Sequence, residues 1–431
     1  MMKTLALGLN TIAALALTAL AAGCSDDGGG TGGNAGAAGT SATAGTAGVG
    51  GSAAGSGGSG TMAGSGGSGG SVAGSTAGGS AGAGGTGGGG GSGGMSSSKC
   101  AVSATDDAQP MMLSETGCVD MSDPAKPAAG LIPYSVRSPL WSDGAKKERF
   151  MRIPDGAKIH VLDCAVETDK CKPPGLGGVG SDDGHWDMPV GTVLVKNFSI
   201  ENKRIETRLF MRRSMMVWKG FSYEWNDAGT DATLLPDDNT GKDKPVGTGN
   251  QVWHYPSRPQ CLECHSTYSG RSLGPTTAQL NSDFAYADGM MNQVEKFKQL
   301  GLFDAAPKDI AGLPDPAGNG TTEEKALSYL QTNCSICHRP GSEGGLLDLR
   351  FGTAFADRGL CSAAERDAGL VPKYRLVPQD TAKSGLSVRM HALDMIRMPK
   401  IGSKVLDPTG TQVVDDWIKA LPADACPGQT P

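Results

Sequence analysis

The chain divides near residue 98, because the aromatic side chains that fill a folded core are absent before that point. Every Phe, Trp and Tyr of the 431 residues lies after residue 98, whereas 33 of the 67 glycines lie between Gly28 and Gly94. These glycines follow no three-residue period, which excludes a collagen-like helix. A segment of Gly, Ala, Ser and Thr has too little apolar area to offset its conformational entropy. We therefore expect a disordered, flexible linker over 24–98 and a folded body over 99–431.

The first 23 residues have the layout of a secretory signal peptide, with Lys3 ahead of an apolar run from Leu5 to Leu20. The residues that end at Cys24 resemble the lipobox of bacterial lipoproteins, in which cleavage makes the cysteine N-terminal and lipid is attached to its sulfur. The resemblance implies a lipid anchor at Cys24, and plain secretion with cleavage nearby is the alternative. Ser25 after the cysteine favours transport to the outer membrane. We expect an exported protein anchored on the periplasmic or cell-surface side of the envelope.

Two copies of the pattern C-x-x-C-H, at 261–265 and 334–338, carry the candidate chemistry. Residues i and i+3 lie on one face of a helical turn, so both thiols would reach the two vinyl groups of one porphyrin. The histidine at i+4 would then ligate the iron. A zinc site would have to join pairs 69 residues apart, and a thioredoxin-like motif does not require the histidine. The predicted cofactors are two covalent c-type haems, with Cys261, Cys264, Cys334 and Cys337 as thioethers and His265 and His338 as axial ligands.

Six further cysteines remain for disulfides, since free thiols in an oxidising compartment pair or react. Many pairings are open to six cysteines, and proximity in sequence favours three of them. The predicted disulfides are Cys100–Cys118, Cys164–Cys171 and Cys361–Cys426.

The last hundred residues predict two helices around the second motif. Thr321 and Glu324 form a capping box ahead of a helix that ends at Asn333, and an apolar stripe from 413 to 421 predicts a second helix. Met398 stands between them, directly before Pro399. This arrangement resembles a class I cytochrome c domain, and the resemblance implies Met398 as the sixth iron ligand. Met390 and Met395 are its rivals, each with a packing role as the alternative.

The sixth ligand of the first haem is open. Met290 and Met291 lie 25 and 26 positions after His265 and are the candidates within the same region. His254 lies too close before Cys261 to reach the opposite face of a porphyrin. Two other possibilities remain. The ligand could come from the preceding region, or the iron could have no sixth ligand, which would leave a position open for peroxide. The candidates from the preceding region are His160, His185 and Met188.

The region before the first motif predicts antiparallel strands, since alternating or β-branched segments are separated by turn residues. The predicted strands are 149–153, 158–162, 192–200, 205–211 and 216–225. Several strands at this spacing favour a sandwich or barrel. Five aromatic residues of this region are expected to pack in the core and at its edges, with a ligand platform as the alternative: Trp141, Trp186, Trp218, Tyr223 and Trp225. The charged run 146–149 is expected to be a solvated face, with docking of an acidic redox partner as the alternative.

Short sequence blocks between 113 and 421 resemble an uncharacterised family of secreted bacterial di-haem c-type cytochromes. The blocks lie at 139–145, 189–192, 206–209, 223–226 and 279–281. The resemblance implies a β-rich N-terminal part followed by two haem-binding units, with electron transfer as the activity.

The expected fold is multidomain: an antiparallel β-rich, sandwich-like domain followed by mainly α cytochrome c-type haem domains. The expected boundaries are 1–23 for the signal peptide, 24–98 for the anchor and linker, 99–250 for the β-rich domain, 251–320 for the first haem region and 321–431 for the class I domain. The net charge of −6 lacks the basic excess that nucleic acid needs.

We expect a di-haem electron carrier whose partners are redox proteins and whose membrane contact is the lipid anchor alone. One alternative is a di-haem peroxidase or oxidase with an open coordination site at the first haem. Another is the redox subunit of a partner dehydrogenase, with the β-rich domain as a binding module.

Overall fold

The structure is a computed structural model. It describes residues 100–101, 108–164, 166–167, 183–249, 251–364, 369 and 371–429, which belong to one unit of the chain, Gly88–Pro431. The predicted signal peptide, Cys24, the linker and Cys171 lie outside the described residues. Within the described ranges, no helix is both long enough and apolar enough to cross a membrane.

Six antiparallel strands form the main sheet, in the order β1-β2-β5-β6-β7-β8. Its strands are β1 (Ile132–Tyr134), β2 (Lys146–Arg152), β5 (Val193–Ile200), β6 (Lys203–Arg212), β7 (Trp218–Trp225) and β8 (Ala232–Leu234). Three antiparallel pairs lie outside it: β3 (His160–Val161) with β4 (Trp186–Asp187), β9 (Lys242–Val246) with β10 (Gln251–Tyr255), and β11 (Asp283–Tyr286) with β12 (Gly289–Asn292). Each of the five predicted strands overlaps one of these, so the antiparallel β-rich part is confirmed.

Alternation along β5 gives the main sheet two different faces. Val193 and Val195 point into a core with Leu209 and Phe221, which the segment 113–131 covers. Leu194 points to the opposite face, which we call the motif face. Phe210 packs beside Leu194 there, because the two residues are partners across β5 and β6. The turn between these strands uses positive φ at Glu201 and Asn202, as the twist of a tight hairpin requires.

The described residues hold six α-helices, all of 13 residues or fewer, and two short 3-10 helices, Leu113–Thr116 and Phe355–Arg358. The α-helices are α1 (Arg258–Cys264), α2 (Thr277–Leu280), α3 (Gln293–Gln299), α4 (Thr322–Asn333), α5 (Gly385–His391) and α6 (Pro408–Ala420). The capping box that starts α4 is present, with Thr321 and Glu324 bonded reciprocally. Leu330 of α4 packs with Val414 and Trp417 of α6 in one core.

Two finer features of the expected fold are not shown. The motif face is covered by α2, α3 and the pair β3–β4, through Leu280, Phe297 and Trp186, so no second sheet of comparable size forms a sandwich in the described chain. Mainly α haem domains are not shown either. The region 251–320 contains β10, β11 and β12, and prolines at 307, 314 and 316 prevent a helix after α3.

Two disulfides fix the ends of the described chain. Cys100 is bonded to Cys118, and Cys361 is bonded to Cys426, as the sequence predicts. Cys164 is also disulfide-bonded. The first bond closes a separation of 18 residues and the second a separation of 65.

We expect the longer disulfide loop to contribute more to stability, because closing it removes more entropy from the unfolded chain. The loop-closure model gives about 4 kcal/mol for Cys361–Cys426 and about 3 kcal/mol for Cys100–Cys118. Urea unfolding of the paired serine variants, C361S/C426S and C100S/C118S, measures both losses. Equal losses, or a larger loss for the shorter loop, would contradict this ranking.

Candidate functional site

The first motif lies on α1, whose N-cap is Ser257 and whose C-cap is His265. The Ser257 hydroxyl caps the helix by accepting from the N–H of Gln260. Cys261 and Cys264 are one turn apart, and both are free thiols. The N–H of His265 donates to the carbonyl of Cys261 at 3.0 Å. The two thiols and the imidazole therefore share one helical turn, as haem attachment requires.

The second motif repeats this turn at the end of α4. The helix stops at Asn333, and Cys334 is its C-terminal cap. The N–H of His338 donates to the carbonyl of Cys334 at 2.9 Å, and Cys334 and Cys337 are free thiols. Both motifs thus have the same local geometry on unrelated supporting elements.

Each motif histidine is oriented by a carbonyl six residues further on. His265 Nδ1 lies 2.5 Å from the Arg271 oxygen, and His338 Nδ1 lies 3.2 Å from the Gly344 oxygen. Since a carbonyl only accepts, Nδ1 carries the proton and Nε2 keeps its lone pair for a metal. A Cβ at Gly344 would lie 2.5 Å from His338 Nδ1, so this approach requires glycine.

Both imidazoles are held neutral by their surroundings. Burial, with a smaller effect of the Lys196 charge, lowers the pKa of His265 to about 3. Burial also lowers the pKa of His338. A neutral imidazole is the form that ligates iron, so protons would not compete at physiological pH.

The first motif packs against the motif face of the main sheet. A Cβ at Gly220 of β7 would lie 2.8 Å from Cys261 Sγ, so the glycine makes room for the thiol. The rings of His265 and Phe210 are 3.9 Å apart between centroids. The sheet therefore supports the first attachment turn directly.

Met398 shares a cavity with the second motif. This cavity, of about 280 Å³ including its open mouth, is the smaller of two and is lined by Cys334, Met398, Met390, Trp141 and Tyr329, among others. Met395 is 83% exposed and does not line it. The structure thus brings Met398 and its rival Met390 beside the second attachment site.

Trp141 joins this cavity to the β-rich part of the chain. It lies between β1 and β2, and its indole Nε1 donates to the Val405 carbonyl at 3.0 Å. Its backbone N–H donates to Asn333 Oδ1 at 2.7 Å, and Val405 N–H donates to Asp143 Oδ1 at 2.8 Å. The second site therefore has a wall from outside the segment 321–431.

The methionines proposed for the first iron lie elsewhere. Met290 and Met291 are in β12, Met290 is 68% exposed, and neither lines a cavity beside a motif. Met188 is buried in the core of the motif face. Two histidines are hydrogen-bonded to carboxylates. His160 Nδ1 lies 2.7 Å from Asp304 Oδ2, and His254 Nδ1 lies 2.7 Å from Asp243 Oδ1.

A larger cavity, of about 720 Å³ including its open mouth, adjoins both motifs. Its walls include Ser269 and Gly270 after the first motif, Ile336 inside the second motif, and His185. A Cβ at Gly270 would lie 2.3 Å from the His185 ring, so loop and imidazole are in close contact. Burial lowers the pKa of His185.

Arg149 and Lys196 also line the larger cavity, and sequence reasoning missed them. The run 146–149 was expected to be solvated, and that expectation is wrong for Arg149, which is 9% exposed. Strand alternation places Arg149 on the sheet face opposite Lys146 and Glu148, and Arg149 is buried because other segments cover that face. That covering comes from distant parts of the chain. By contrast, Trp186, Trp218, Tyr223 and Trp225 are buried, as predicted.

The two motifs are joined by one arginine. Arg339, next to His338, donates from Nη1 to the Tyr268 carbonyl at 2.8 Å and is 5% exposed. Burial, with a contribution from the nearby Cys337 thiol, raises the pKa of Cys264 to about 12. The attachment turns are therefore neighbours in space, although 69 residues separate them in sequence.

The cysteine pairs do not resemble a zinc site. Across the described ranges, no three His, Cys, Asp or Glu side chains converge to hold a metal ion. A structural zinc site needs four such ligands.

Comparison of the chain with protein-family models, with curated proteins and with solved structures gave no match.

Proposed function

We propose that the protein is a di-haem c-type cytochrome that transfers electrons at the bacterial cell envelope. The observation that carries the proposal is the doubled turn, in which two free thiols stand beside an imidazole whose Nε2 is left free for iron. A dithiol redox site would need neither the histidine nor its orientation. A bound haem supplies one-electron chemistry between ferric and ferrous iron.

Each residue of the two turns has a separate task. Cys261 and Cys264, and likewise Cys334 and Cys337, would hold the cofactor through thioether bonds. The carbonyls of Arg271 and Gly344 keep the histidine rings oriented and their Nδ1 atoms protonated.

The second site fits a class I cytochrome c arrangement. Packing of α4 against α6, with Met398 facing the cavity of Cys334, supports Met398 as the sixth ligand. A thioether ligand raises the reduction potential relative to a second imidazole. The class I domain over 321–431 is proposed on these contacts.

Contact between the two turns supports electron transfer within the chain. Arg339 bonds the segment after His338 to the segment after His265, so cofactors on the two turns would be neighbours. Haems held on the two turns would supply one-electron transfer within the chain and to a redox partner protein.

The proposed location follows from the same chemistry. Attachment of c-type haem in bacteria and the disulfides Cys100–Cys118 and Cys361–Cys426 both belong to an oxidising compartment. A lipid on Cys24 would hold the body to the membrane through the linker 25–98. A Gly-rich chain of this length reaches roughly 45 to 50 Å.

We expect two haems per chain, one on each motif, because each cysteine pair is independent of the other. Alkaline pyridine spectra of the purified protein measure the number. C261S/C264S and C334S/C337S should each retain one haem, whereas the disulfide variant C361S/C426S should retain two. Fewer than two haems on the unaltered chain would overturn the proposed function.

Replacing Met398 should change the second haem alone. We expect M398A to lose the near-infrared charge-transfer band of methionine-ligated ferric haem and to lower the potential of that haem. M395A is the matched control, since Met395 is 83% exposed. Loss of the band in M390A with its retention in M398A would assign the ligand to Met390.

A second function, reduction of peroxide at the first haem, is favoured by the surroundings of His265. No methionine is among the described residues that line the larger cavity, and Met290 faces solvent on its hairpin. His185 lines this cavity and is the remaining candidate ligand there, so the first iron would stay open to peroxide where His185 does not bind it. A haem held there with an open position would bind peroxide, and two electrons from a donor protein with two protons would convert one hydrogen peroxide to two waters. Two one-electron centres match this requirement.

Low-temperature EPR tests this second function. An open first site should give a high-spin ferric signal that peroxide changes and that C261S/C264S removes. Two low-spin signals that peroxide leaves unaltered would refute it, while leaving the electron-carrier function intact.

A further inference from the structure

Three cations stand side by side across the motif face of the main sheet. The strand register pairs Arg149 of β2 with Lys196 of β5, and Lys196 with Arg208 of β6. Directly paired residues in a sheet point to the same face, and like charges in such positions repel each other. We call these three residues the cationic row.

The cationic row is only partly neutralised. Arg208 donates from Nε and Nη2 to both carboxylate oxygens of Glu206, at 2.7 and 2.8 Å. Glu206 accepts a further bond from Trp253 Nε1 at 3.0 Å. In the part of the chain that the structure describes, no acceptor or carboxylate contacts the side-chain nitrogens of Arg149 or Lys196.

Of the charges on Arg149 and Lys196, burial of the Arg149 charge costs more folding free energy. The Arg149 side chain is more than nine-tenths buried, and a guanidinium stays protonated inside a protein. A buried cation without a counter-charge is strongly destabilising, whereas an anion in contact with it removes the penalty.

Both unneutralised cations line the larger cavity. Arg339 lies on another wall, and Asp183 is the one carboxylate among the described lining residues. The charge of Asp183 acts on Arg339 and His185, and its Oδ2 accepts from Gln331 Nε2 at 3.3 Å. The wall formed by Arg149 and Lys196 therefore carries an excess of positive charge.

We propose that the larger cavity binds a carboxylate group, held by Arg149 and Lys196. The planar guanidinium matches a carboxylate through two parallel hydrogen bonds, and the ammonium adds a third donor. Two sources supply this chemistry: a propionate of the haem on Cys261 and Cys264, or a free small organic acid. The first source rests on the proposed function, and the second does not.

The test compares the full, haem-loaded protein with R149Q and K196Q in two measurements. Calorimetric titration with succinate detects a free carboxylate, and a redox titration gives the midpoint potential of each haem. K146Q is the matched control, because Lys146 lies on the same strand as Arg149 but is exposed. R149K keeps the charge and shows whether loss of the arginine merely impairs folding, which circular dichroism checks.

Each source predicts a different pattern. If a free acid binds, succinate binds the unaltered protein, and R149Q and K196Q weaken succinate binding at least tenfold whereas K146Q does not. If a propionate occupies the site, succinate does not bind, and both variants lower the potential of the first haem only, since a nearby cation favours the ferrous state.

The proposal is overturned if R149Q and K196Q equal K146Q in both measurements. Its failure is distinguishable from failure of the proposed function. A chain that carries no haem refutes the function, yet succinate titration of that chain still tests the carboxylate site.

Discussion

Both candidate centres depend on the same kind of main-chain hydrogen bond, which runs from the histidine N–H to the carbonyl of the first cysteine in the motif. It measures 3.0 Å at His265 and 2.9 Å at His338, and it closes the turn that sets two thiols beside an imidazole. The supporting elements differ, since the first turn lies on the sheet and the second among helices. The turn determines which chemistry is available, whereas burial, charge and the opposite ligand tune it.

The main sheet determines the charge around the first turn. Because side chains alternate along a strand, the same face that presents Gly220 and Phe210 to the motif also presents Arg149 and Lys196 to the larger cavity. A shift of one residue in register would exchange these side chains for those of the opposite core. The sheet is therefore part of the site as well as its support.

Local patterns in the sequence predicted local structure well. The strands, the capping box at Thr321 and the pairs Cys100–Cys118 and Cys361–Cys426 depend on alternation, capping and sequence proximity. Burial of Arg149 depends on distant segments that cover the sheet, so a charged run was mistaken for a solvated face. The exposed position of Met290 depends on a hairpin that sequence spacing does not reveal.

Trp141 has a consequence for how the chain can be divided. Its hydrogen bonds to Asn333 and Val405, together with that of Asp143, place a residue from the β-rich part in the wall beside Met398. A fragment starting at residue 321 would keep the second motif and both of its long helices, yet water would enter where the indole stood. The last hundred residues resemble an independent domain in sequence, but a residue of the β-rich part lines one side of their interior.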